Sequence, residues 1–170
     1  MRAKPNNNTK FFLILALLCC LLLPVKPQAA ETHGTEDILN AAESVFQNMS
    51  KAAYPTLWSG LTAQSRKSII RNVRKALGKV GLDYAEERIR ADFERGEELA
   101  RGYWTGYLSQ FDPKTVLEES KWSMGEVKKD KAEIVIRYKK SGQDAILKMF
   151  REGGAWKVGL HETFSARQQQ

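Results

Sequence analysis

Apolar positions recur at steps of three and four from residue 36 to residue 111, and mostly at steps of two from there to residue 164. The first period belongs to helices that bury one face, the second to strands. In TEDILNAAESVFQNMS, Leu39, Ala42, Phe46 and Met49 form one stripe. Thr35 is predicted as its N-cap, and Glu36 and Asp37 suit the positive end of the helix. AYPTLWSGLT predicts a short helix opened by Pro55, with Leu57, Trp58 and Leu61 as its apolar side. TAQSRKSIIRNVRKALGKVG predicts a helix with Ile69, Ile70, Val73, Leu77 and Val80 on one side and a stop at Gly81. Asp83 and Glu86 have the spacing of a capping box for a helix predicted to run to Phe111, where Asp112-Pro113 ends it. Its stripe is Ile89, Phe93, Gly96, Ala100, Tyr103 and Tyr107. A glycine inside that stripe implies either a bend or a closely packed neighbour, because it weakens a helix by about 1 kcal/mol relative to alanine.

Four strands are predicted after the helices: VLEESKWSMGEV, AEIVIRYKK, DAILKMFRE and AWKVGLHETF. Ser141-Gly142 and Gly153-Gly154 are hairpin signals. A tight turn at Ser141-Gly142 sets Ile136 opposite Leu147, Ile134 opposite Met149 and Tyr138 opposite Ala145. A turn at Gly153-Gly154 sets Met149 opposite Val158, Leu147 opposite Leu160 and Ala145 opposite Glu162. A three-residue loop at Lys128–Asp130 places Trp122 and Met124 on the same apolar face, which fixes the register. Helices followed by an antiparallel meander with one apolar face predict an α+β domain, N-terminal helices packed on a C-terminal sheet. On this register His161 lies opposite Ile146 on the outer face, with Val135 and Phe150. That group of apolar side chains suggests a partner surface and a homodimer through the outer sheet. Glu162 points inward, where it either lines a pocket with Tyr103, Tyr107 or Asp92 or ends a strand in solvent.

The amino end has a different pattern. Arg2, Lys4 and Lys10 precede an apolar run of 13 residues, Phe11–Leu23, which small residues follow at Ala29 and Ala30. This is the pattern of a secretory signal peptide, and the run is short of the ~20 residues that span a bilayer. Cleavage is expected near Ala30, with an uncleaved anchor as the alternative. The organisation expected is a signal peptide at 1–30, a flexible leader at 31–35, one α+β domain at 36–164 and a disordered tail at 165–170. The location expected is extracytoplasmic, either periplasmic or secreted.

Cleavage would change the charge argument. The whole chain carries 27 bases and 20 acids, a net +7. Four bases and no acids lie in residues 1–30, which leaves 23 bases against 20 acids, a net +3. Mixed charge of that size gives no case for nucleic acid. Arg66, Lys67, Arg71, Arg74 and Lys75 share one helix face, which is either solvated or a contact for anionic lipid. Both cysteines, Cys19 and Cys20, lie in the signal segment. Disulfides, thiolate catalysis and cysteine-ligated metal are therefore not expected in the mature chain. His33 falls in the leader, so His161 is the one histidine expected in the fold, too few for a transition-metal site. No cofactor is expected.

The segment ILNAAESVFQNMSKAAYPTLWSGLTAQSRKSIIRNV, with its tryptophan-containing turn, and the final hairpin ILKMFREGGAWKVGL resemble the nuclear transport factor 2-like (cystatin-like) superfamily, in particular its small secreted bacterial members. The likeness spans most of residues 36–164 and consists of packing patterns. It implies a sheet curled around helices to form a cavity, which some members use for isomerase or dehydratase chemistry and others only for binding or dimerisation. The expected function is a non-catalytic binding or interaction module, with a small hydrophobic ligand as one kind of partner. The alternative is a cofactor-free acid/base enzyme using Glu162 with a tyrosine as proton donor.

Overall fold

The computed structural model describes residues 29–164, with side chains from residue 34 onward. Apart from Ala29 and Ala30, the expected signal segment lies outside the described residues, as does the expected tail at 165–170. Helix α1 is Ala29–Ser50. It begins upstream of Thr35, which lies inside the helix and does not cap it, and it takes in the expected leader. Its buried stripe is Ile38, Ala42, Val45, Phe46 and Met49, with Leu39 only half-buried.

Helix α2, Tyr54–Ser59, opens with Pro55 and buries Leu57 and Trp58, as its sequence predicts. Helix α3, Ala63–Lys79, starts at Thr62, whose hydroxyl oxygen accepts the Ser65 N–H. Ile69 and Ile70 are buried, but the apolar side fades towards the carboxy end, where Val80 is 71% exposed. Arg74 reaches both Asp83 (3.8 Å) and Glu86 (3.7 Å). Those two acids therefore brace α3, and the expected capping box is not made: α4, Glu86–Arg95, has Ala85 at its N-cap and no side-chain cap.

The predicted long helix is two. Gly96 has φ +67° and ends α4, with Gly96 N–H on Phe93 O and Glu97 N–H on Asp92 O. Helix α5, Glu98–Leu108, follows at once. A Cβ on Gly96 would lie 2.8 Å from Pro55 Cδ, so close packing and a break coincide here. Asp112 then caps α6, Pro113–Glu119, through the Lys114 and Thr115 N–H groups. The start of the first predicted strand is therefore helical.

The sheet is a four-stranded antiparallel meander in the order β1 (Ser120–Lys128), β2 (Lys131–Tyr138), β3 (Asp144–Glu152), β4 (Ala155–Val158). Trp122 opposes Ile136 and Met124 opposes Ile134 on the inner face as expected. The connection is a tight turn, with Lys128 paired to Lys131, and an extra residue in a bulge between Met124 and Val127 restores the parity. Between β2 and β3 the pairing is two residues from the predicted one: Ile136 opposes Ala145, Ile134 opposes Leu147 and Ala132 opposes Met149. A longer loop closed by Gly142 N–H on Tyr138 O replaces the two-residue turn. A slip of two keeps each side chain on its face. Met149 opposes Val158 as predicted, but β4 ends there and the pairs expected for Leu160 and Glu162 do not form. The chain turns at Gly159 into a short helix, α7, Leu160–Phe164.

The fold class is thus α+β, helices first and sheet second. From His33 onward the described residues form one unit. Phe46 of α1 meets Trp122 of β1 edge-on at 5.1 Å between ring centroids, which joins the helical layer to the sheet. The α2–α3 link is tied to β4 by Val158 N–H on Gly60 O and Thr62 N–H on Val158 O.

Candidate functional site

Helix α7 sits between α3 and β3, and side-chain bonds fix it on both sides. Towards α3, the Thr62 and Ser65 hydroxyls donate to the two oxygens of Glu162, each at 2.7 Å. The Ser65 oxygen also accepts the His161 N–H at 3.0 Å. Towards the sheet, Gly159 N–H bonds Lys148 O at 2.8 Å and Thr163 Oγ1 accepts the Lys148 N–H at 3.0 Å. These two bonds take the place of a longer β4 along β3.

Two cavities lie beside this helix. The first is a cleft of about 150 Å³ lined by Ser65, Ser68, Ile69 and Asn72 of α3, Tyr103 and Tyr107 of α5, and Leu160, His161 and Phe164. His161 Nδ1 is 3.1 Å from the Ser68 hydroxyl. Burial raises the Tyr103 phenol above its ordinary pKa and, with the neighbouring Tyr103, pushes Tyr107 up to about 12. Neither phenol hydroxyl bonds another described residue. Beneath them Trp104 is fully buried, meets both tyrosine rings edge-on, and has no hydrogen-bond partner for Nε1.

The second cavity, about 230 Å³, is lined by Phe46, Phe111, Val116, Ile136, Ala145, Ile146, Leu147, Thr163 and Phe164. Thr163 is its one polar side chain, and its oxygen already accepts the Lys148 N–H.

The candidates singled out from the sequence are only partly brought together. Tyr103, Tyr107 and His161 share the cleft. Glu162 does not line it and spends both oxygens on Thr62 and Ser65. Asp92 is also engaged: its carboxylate accepts the Leu99 and Ala100 N–H groups at 3.2 and 2.8 Å and so caps α5. Of the outer-face group, Val135, Ile146 and Phe150 lie on one face of the sheet as expected, and His161 alone leaves it. Val135 and Ile146 are paired, and Ile146 is 46% exposed. Phe150 packs over Gly159, where a Cβ would lie 2.7 Å from its Cε2. His161 faces α3, since the chain leaves the strand before reaching it. Ser65, Ser68 and Asn72 were not anticipated, although hydroxyls and an amide beside Ile69 and Ile70 on a helix otherwise rich in bases are a visible signal.

Among the described residues no group of three or more His, Cys, Asp or Glu side chains could hold a metal, and no helix is long and apolar enough to cross a membrane. No protein-family model, curated protein or solved structure matches the chain.

Proposed function

We propose that the chain is a non-catalytic binding module that works outside the cytoplasm, and that the pocket between sheet and helices takes a small apolar molecule. The observation that carries this is the lining of the 230 Å³ pocket: apolar throughout except for Thr163, whose oxygen accepts the Lys148 N–H. A cavity without convergent polar groups offers nothing to move a proton or hold an oxyanion, but it favours apolar guests. The resemblance to the nuclear transport factor 2-like superfamily, some of whose members only bind, points the same way. The basic and apolar amino-terminal pattern supports the location. The acid/base alternative has less support, because the Glu162 carboxylate accepts from two hydroxyls and is not among the lining residues of either cavity.

Toluene tests the pocket. A guest that binds only the folded state raises the unfolding temperature in proportion to the logarithm of its concentration. Saturating toluene should raise the melting temperature of the wild type, and Ala145→Leu, which fills space in the pocket, should remove most of the rise. No rise in the wild type would refute this reading.

A further inference from the structure

The cleft and the pocket adjoin. Phe164 lines both, and Tyr107 of the cleft meets Phe111 of the pocket at 5.8 Å between ring centroids. We infer that they are the two ends of one site for an amphipathic carboxylate, with its head in the cleft and a short alkyl chain or phenyl ring in the pocket. This rests on the reading of the pocket given above and adds the chemistry of the head.

The polarity of the cleft selects an acceptor-rich head. No acid is among its lining residues, and the Ser65 hydroxyl is taken by Glu162. What remains is the pair of phenols, the Asn72 amide, and the Ser68 hydroxyl with the His161 ring it meets at 3.1 Å. The phenols are free to donate: a phenol is protonated at neutral pH, and burial raises both further. The field has the matching sign. Helix α3, which supplies four of the lining residues, carries Arg66, Lys67, Arg71, Arg74, Lys75 and Lys79 and no acid along its length. Arg74 is paired with Asp83 and Glu86 and the Glu162 carboxylate lies behind Ser65, so the other five bases are what draw an anion to this side of the molecule. Size sets the tail. An apolar cavity of about 150 Å³ admits benzene, so 230 Å³ suits a ring or a short chain and not a long acyl chain.

Sodium octanoate, below its micellar concentration, is the probe, with octanol and toluene as neutral comparators. Calorimetric titration of the full chain should show octanoate binding more tightly than octanol. In Tyr103→Phe/Tyr107→Phe, octanoate should weaken about tenfold while toluene binds as before. These substitutions delete only hydroxyls that bond no other described residue, so the fold should be retained. If toluene binds but octanoate is no tighter than octanol, or is unaffected by the double substitution, the head site is refuted and the pocket stands. If toluene does not bind the wild type, the pocket fails and the inference with it.

Discussion

At residue scale, Glu162 is the side chain whose role differs most from its expected one. Its two oxygens accept from Thr62 and Ser65, and both of those residues are fully buried. Removing the acceptor leaves two buried hydroxyls short of a partner, and each such loss costs about 1–3 kcal/mol. Thr62 and Ser65 lie 2.8 Å apart and can partly satisfy each other. Glu162→Ala should therefore destabilise by about 2 kcal/mol, and Glu162→Gln by less, since one amide oxygen still accepts. Urea unfolding reads both, and a loss for Glu162→Ala below about 0.5 kcal/mol, the size of an ordinary surface change, would mean that the carboxylate does not hold α7. This position was not legible in the sequence for a physical reason. AWKVGLHETF alternates like a strand, and α7 has only five residues, too few to show a helical period. Gly159 was the one available sign. It is buried against the Phe150 ring, with no room for a Cβ, and there the chain leaves the sheet.

At the scale of elements, periodicity located the helical half and the sheet but misplaced their breaks. The stripe Ile89, Phe93, Ala100, Tyr103 is continuous in sequence because α4 and α5 bury their apolar sides in the same core. The break shows only in Gly96 and in Asp92, whose carboxylate restarts the helix. Likewise, face assignments survived a two-residue error in the β2–β3 pairing because side chains alternate with period two. The ladder alone could not reveal the loop length. Gly96 offers an element-scale test when set against Gly81. Both have positive φ, +67° and +80°. A Cβ at Gly81 meets open space, whereas one at Gly96 meets Pro55 at 2.8 Å. Gly81→Ala should cost about 1 kcal/mol for backbone conformation alone. Gly96→Ala should cost that plus overpacking, which typically adds about 1–3 kcal/mol. Equal losses in chemical denaturation would show that α2 moves aside freely and that the α2–α4 contact is loose.

For the whole molecule, the question is what the first thirty residues contribute. The apolar run Phe11–Leu23 is the most hydrophobic stretch of the chain, and burying such a run in a core would be worth many kcal/mol. Among the described residues one apolar cluster joins the helices to the sheet. Its first buried member is Ile38, and Ala42, Val45, Phe46 and Met49 then pack on the same cluster as the sheet residues Ile134, Leu147 and Met149. The polar face of α1 at Glu36 and Asp37 is exposed. A chain of residues 31–170 should therefore fold cooperatively, retain the α+β circular-dichroism spectrum, and unfold within about 0.5 kcal/mol of a longer chain starting at residue 24, the scatter expected of surface changes. The same boundary is the one expected for processing. Expression with the native amino end in a secreting host should give a mature mass that begins at Glu31. A truncated chain that is molten or insoluble would show that residues before Glu31 belong to the folded core. The amino-terminal pattern would then describe a structural element, and the proposed extracytoplasmic location would lose its support.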